Sequence, residues 1–142
     1  SVIMLFKRHE EGYVPPFELV DFSAVVEHRQ GRGLLAEATV KVRVDGEIVH
    51  TAAEGNGPVN ALDIALRKAL CGRYTSINHF QLADYKVRIL DGYNGTEAVT
   101  RVLIETRNGR KGWSTVGASS NIIEASWQAL VDSVEYGLMV CE

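Results

Sequence analysis

"EGNGPVNALDIALRKAL", residues 54–70, decides the reading of this chain. Two glycines and a proline break the preceding pattern, and an amphipathic helix begins at once. Val59, Leu62, Ala65, Leu66, Ala69 and Leu70 recur on one helical face, with Asp63, Arg67 and Lys68 opposite. Pro58 suits the first helical position, where no N–H donor is needed, and Gly72 is the expected stop. Ahead of the helix, Ala36, Ala38, Val40, Val42 and Val44 alternate with Glu37, Thr39, Lys41 and Arg43, the period-two pattern of a strand with one buried face. Asp45-Gly46 predicts a tight hairpin turn into "EIVHTAAE". "FELVDFSAVVEHR", residues 17–29, predicts a first strand before the break at "QGRG".

The second half repeats this order. "QLADYKVRILD" (81–91) reads as a strand and "GYNGTE" (92–97) as a loop. "AVTRVLIETR" (98–107) is a strand apolar enough on both faces to be central. Asn108-Gly109 predicts the hairpin turn and "KGWSTVG" (111–117) the third strand. Ser119, Ser120 and Asn121 offer N-cap side chains to a helix from Ile122 to Tyr136, closed by Gly137. Ala61 aligns with Ala125, Ala65 with Ala129 and Leu66 with Leu130. The glycine of each predicted turn precedes the first of these alanines by 15 residues in one half (46 to 61) and 16 in the other (109 to 125). The chain therefore predicts an α+β fold of two pseudo-symmetric βββα units, residues 17–72 and 81–137, each an antiparallel three-stranded sheet with one helix. The natural arrangement pairs their apolar faces about a pseudo-two-fold axis.

At 142 residues, 46% hydrophobic and 23% charged, the composition is that of one globular domain. A net charge of −3 and the lack of a basic patch argue against nucleic acid or an anionic membrane as partner. No apolar run reaches membrane length. Lys7-Arg8-His9 reads as a solvated face, as do Arg107, Arg110 and Lys111 about a turn. Cys71 and Cys141 form no framework and fit reduced thiols in a cytoplasmic protein. Val14-Pro15-Pro16 marks the start of the domain, with residues 1–16 expected to end a linker from an absent N-terminal domain. His9, His28, His50 and His79 share no metal-ligand spacing, and no nucleophile elbow or phosphate-binding glycine loop occurs. Glu54, Asp84 and Asp91 read as surface or turn carboxylates, and Trp113 and Trp127 as edge or core packing. No catalytic residue and no metal ligand is assigned.

The two glycine-bearing helix entrances remain. A helix N-terminus presents unpaired N–H groups and a partial positive charge, which favour a carboxylate. Glycine there lets a ligand approach the backbone. A small amino acid held in this way would place its side chain against Val59, Val116 or Ile122. The competing reading is that glycine is simply what a tight strand-to-helix turn needs, and spacing alone favours that one.

"AEGNGPVNALDIALRKAL", "LADYKVRILD" and "TVGASSNIIEASWQAL" resemble, in order, the C-terminal regulatory domain of the isopropylmalate synthase, citramalate synthase and homocitrate synthase family. The resemblance runs from Phe17 to Leu138, and "VHTAAEGNGPVNAL" and "NIIEASWQALVDSVEYGL" are most similar to the citramalate synthase branch. It implies a domain that dimerises and binds a branched-chain amino acid, isoleucine or leucine, as feedback inhibitor. The parent enzyme would condense acetyl-CoA with a 2-oxo acid at a divalent metal in an N-terminal TIM barrel. The metal and the catalytic residues would belong to that barrel, leaving this domain catalytically inert and without a cofactor. By motif, the implied effector site falls on Gly55, Asn56, Gly57, Pro58, Val59, Asn60 and Ala61, on Tyr85, and on Val116, Gly117, Ala118, Ser119, Ser120, Asn121 and Ile122. The chain departs from the family's pattern at Asn60, where Asp is common, and at Thr115, near a usual glycine.

Overall fold

The first hairpin turn is set by backbone handedness. In the computed structural model, which describes residues 8–10, 12–31, 33–90, 99–109 and 111–141, Asp45 and Gly46 both have positive φ, 50° and 81°. That is the type I′ geometry whose twist suits a two-residue hairpin. It joins β2 (Gly33–Val44) to β3 (Glu47–Gly55), and β1 (Glu18–Arg29) pairs with the other edge of β2, giving the antiparallel order β1-β2-β3. Helix α1 (Pro58–Leu70) covers one face. Ala36, Ala38, Val40, Val42 and Val44 point under it and are buried, as the alternation requires. A 3-10 turn, Thr75–His79, buries Ile77 and ends the unit, which spans Pro15–Asn78.

The second unit comprises His79–Glu142 and the segment ending at Val14. Strands β4 (Gln81–Leu90), β5 (Val99–Asn108) and β6 (Lys111–Ser119) form the sheet β4-β5-β6, so β5 is central as expected. Helix α2 (Ile122–Cys141) lies over β5 and β6. Val102, Ile104 and Thr106 are buried on the helix side, while Arg101 and Arg107 on the other face are exposed. The α+β fold of two βββα units is thus observed. The predicted loop at 92–97, Asp91, Lys7 and Arg110 lie outside the described residues.

The duplication is closer than motif spacing indicates. Asn108 pairs with Lys111, so Asn108 belongs to β5 and the second turn opens at Gly109 rather than at Asn108. Asp45 therefore corresponds to Gly109, a separation of 64 (109 − 45), and the same 64 relates Ala61 to Ala125. The mismatch of 15 against 16 arises because the two glycines occupy different positions in their turns. Equivalent hydrogen bonds follow the same offset. Thr51 Oγ1 donates to the Ala65 carbonyl and Thr115 Oγ1 to the Ala129 carbonyl, both at 2.7 Å. The departure at Thr115 is therefore a structural strand-to-helix bond. Both first strands also carry a register shift at the same place, between Leu19 and Asp21 and between Leu82 and Asp84. A further sequence repeat, "FELVDF" (17–22) and "FQLADY" (80–85), underlies it, with Phe17 and Phe80 both buried.

Three further sequence expectations change. Gly137 does not close α2, which runs on to Cys141. A Cβ at Gly137 would lie 2.6 Å from Trp113 Cζ2 and 2.7 Å from Phe80 Cε2, so glycine there admits two aromatic rings against the helix. Those rings meet edge to face at 5.3 Å, and Trp113 Nε1 donates to the Ser133 carbonyl at 2.9 Å. Gly72 follows the end of α1 without a left-handed backbone, and the Arg73 and Tyr74 amides close that end on the Leu70 carbonyl. Asp63, read as solvent-facing, is buried and takes a 3.0 Å ion pair from Arg67 one turn on. Burial pushes its carboxyl above the usual range, against the pull of the Arg67 guanidinium.

Candidate functional site

At the α1 entrance the chain leaves β3 at Gly55, where a Cβ would sit 2.5 Å from Asn60 Oδ1 and 2.7 Å from the Ala61 amide nitrogen. Glycine is needed there because the strand end and the helix backbone touch. Gly57 is different. It is the N-cap, its backbone is extended at φ −159°, and nothing lies within 4 Å of a Cβ placed on it. The Ala61 amide donates to the Gly57 carbonyl at 3.0 Å, and the Asn56 amide donates to Asn60 Oδ1 at 3.2 Å. Among the described residues no side chain caps α1, and its first turn contains no acidic residue. Pro58 has no N–H, so the Val59 and Asn60 amides form the positive end of this helix without a side-chain acceptor.

The α2 entrance has the opposite chemistry. Asn121 Oδ1 accepts from the amides of Ile123 at 2.8 Å and Glu124 at 3.2 Å, and the Ala125 amide donates to the Asn121 carbonyl at 3.0 Å. Ser119 Oγ accepts from the Asn121 amide and donates to Glu124 Oε2 at 3.0 Å. Glu124 thus sets a negative charge in the first turn. The cap predicted from Ser119, Ser120 and Asn121 resolves onto Asn121, with Ser119 one step behind it and Ser120 exposed. The spacing Asn121-x-x-Glu124 carries the capping-box signal for this in the sequence.

Within the second unit the candidate residues divide between two sheet faces. Tyr85 lies on the helix side, its hydroxyl 3.2 Å from Ser126 Oγ, which donates to the Ile122 carbonyl in the first turn of α2. Gly117 is buried on that side too, where a Cβ would run into the Ala125 carbonyl oxygen and lie 2.9 Å from Gln128 Cβ. Val116 pairs with Leu103 on the opposite face, and Ala118 donates its amide to Gln128 Oε1 at 3.1 Å. Ile122 is exposed. Gly55, Asn56, Gly57, Pro58, Val59, Asn60 and Ala61 all belong to the first unit, Tyr85 and 116–122 to the second. A cavity of ≈ 380 Å³ in the first unit has Glu37, Thr39, Ala52, Glu54 and Lys68 among its walls, and none of residues 55–61 lines it.

Among the described residues no helix is long and apolar enough to cross a membrane, and no group of three His, Cys, Asp or Glu side chains is placed to hold a metal ion. The duplicated scaffold thus carries one helix terminus without a side-chain cap and one capped by Asn121.

The chain is 62% identical over 103 residues, 72% of its length, to an (R)-citramalate synthase of a Synechocystis species. It is 50% identical over 139 residues, 97% of its length, to the (R)-citramalate synthase of Geobacter sulfurreducens. A 2-isopropylmalate synthase of Shewanella woodyi is 36% identical over 96 residues, 68% of the chain. These matches cover 19%, 26% and 17% of the relatives' own lengths, so the chain spans about a quarter or less of each. The family profile described as the LeuA allosteric (dimerisation) domain matches residues 1–138. The chain belongs to the LeuA allosteric (dimerisation) domain family.

Proposed function

We propose that this chain is the amino-acid-sensing and dimerising domain of a larger acyltransferase, one that condenses acetyl-CoA with pyruvate to give citramalate. Isoleucine, or leucine, is its feedback effector. The parent's divalent metal and catalytic groups belong to an N-terminal barrel, and the domain works as a homodimer in the cytoplasm. Family membership supports the regulatory role, and the citramalate synthase relatives support the branch.

The observation that carries effector binding is the uncapped α1 entrance. An amino acid's carboxylate is the missing acceptor for the Val59 and Asn60 amides, and the half-buried Val59 side chain offers apolar contact beside it. Residues 55–61, Tyr85 and 116–122 remain the proposed effector set. Feedback then requires that the effector bind two conformations of the parent unequally. Calorimetry and thermal melting of the chain with isoleucine, leucine and valine test this, the expected result being saturable binding and a rise in Tm. Sedimentation tests the dimer.

A second reading, a dimerisation module without an effector, is favoured by one observation. Gly55 and Gly117 are both accounted for by strand-to-helix contact, so the glycine signal needs no ligand to explain it. A dimer with no response to any branched-chain amino acid would establish that reading.

A further inference from the structure

Helix α2 reads IIEASWQALVDSVEYGLMVC, which contains three carboxylates and no Lys, Arg or His. Asp132 and Glu135, three residues apart, share a face. Their side chains are only 13% and 4% exposed, so each needs a counter-charge that the helix does not supply. Arg8 provides it from 124 and 127 residues away. Its Nη2 donates to Asp132 Oδ1 at 2.6 Å, and its Nε donates to Glu135 Oε2 at 2.9 Å. Arg8 is exposed, as the solvated-face reading of Lys7-Arg8-His9 has it, yet it is paired with both carboxylates. Tyr13 follows on the same side, its hydroxyl 4.0 Å from Met139 Sδ. Burial and the Glu135 charge push its phenol up to about 12.

The direction of the segment is informative. The chain next enters β1, in the first unit, yet the residues before Pro15 pack with the second. We propose that Arg8 and Tyr13 strap the chain ahead of β1 over the C-terminal half of α2, with Arg8 as the clasp. The fork matters: a guanidinium serves two carboxylates at fixed angles, whereas a lysine ammonium at the same position serves them as a point charge.

Cleavage by an arginine-specific protease reads the clasp, because the Arg8 side chain must leave both carboxylates to enter the protease's pocket. Native chain should be cut after Arg8 about tenfold or more slowly than a synthetic peptide of residues 1–16. Asp132→Asn with Glu135→Gln, which leaves Arg8 intact, should bring the rate to within about threefold of the peptide, and Asp132→Asn alone should give an intermediate rate. If the double variant does not melt cooperatively, Asp132→Asn alone decides. Native chain cut as fast as the peptide, or a folded variant cut no faster than wild type, would overturn the strap.

Discussion

The two helix entrances descend from one repeated pattern and have come to opposite electrostatic states. At α1 the N-cap is Gly57, no carboxylate sits in the first turn, and no side chain satisfies the leading amides. At α2 Asn121 takes two of those amides and Glu124 adds a negative charge. An anion gains from the first arrangement and is repelled by the second. The comparison teaches that a duplicated fold need not duplicate its helix caps. What the entrances share is the packing that makes glycine necessary; where they differ is in the donors left over.

Substitutions at the glycines break the comparison into its parts. Gly117→Ala should have the largest effect, costing about 3 kcal/mol in urea unfolding, because the added methyl meets the Ala125 backbone. Gly55→Ala should cost about 1–2 kcal/mol, since Asn60 can swing aside but the Ala61 amide cannot. Gly57→Ala should stay within about 0.5 kcal/mol of wild type, its position being open and extended. A large loss at Gly57 would mean that the α1 entrance, too, is held by packing.

Removing the α2 cap is the next test. Asn121→Ala should cost about 1 kcal/mol in urea unfolding. A smaller effect concerns Asp63. Desolvation raises its carboxyl in the folded chain against the pull of Arg67, so stability is gained as pH falls through the raised value toward the ordinary one. Wild type should therefore gain stability relative to Asp63→Asn as pH is lowered from 7 toward 4, measured as the difference between their Tm values. A difference that grows in the variant's favour would contradict the sign.

The units were legible wherever the chain speaks through local geometry. Alternation in 36–44, the Asp45-Gly46 turn and Pro58 fixed β2, the hairpin and the start of α1, and each stands as expected. Positions that answer to distant atoms were not legible. Gly137 looks like a helix stop, and only the Phe80 and Trp113 rings show why glycine sits mid-helix. Asp63 falls on the polar side of a helical projection, and tertiary packing buries it. Arg8 sits in a basic run whose partners are more than a hundred residues away. The repeat of "FELVDF" in "FQLADY" was readable and would have located both register shifts. Of the candidate site, the α1 glycines were visible as a motif, but which of them packs and which stays open depends on contacts across the turn.

Gly57→Asp tests the central claim most directly. An aspartate at the N-cap supplies the acceptor that α1 lacks, so it should stabilise the helix by a few tenths of a kcal/mol while occupying and repelling the carboxylate's place. Isothermal titration calorimetry of the chain with isoleucine should give saturable binding for wild type and at least about tenfold weaker binding for Gly57→Asp. Equal affinity in the two proteins would contradict the placement at α1, and no binding to wild type would contradict amino-acid sensing by this chain.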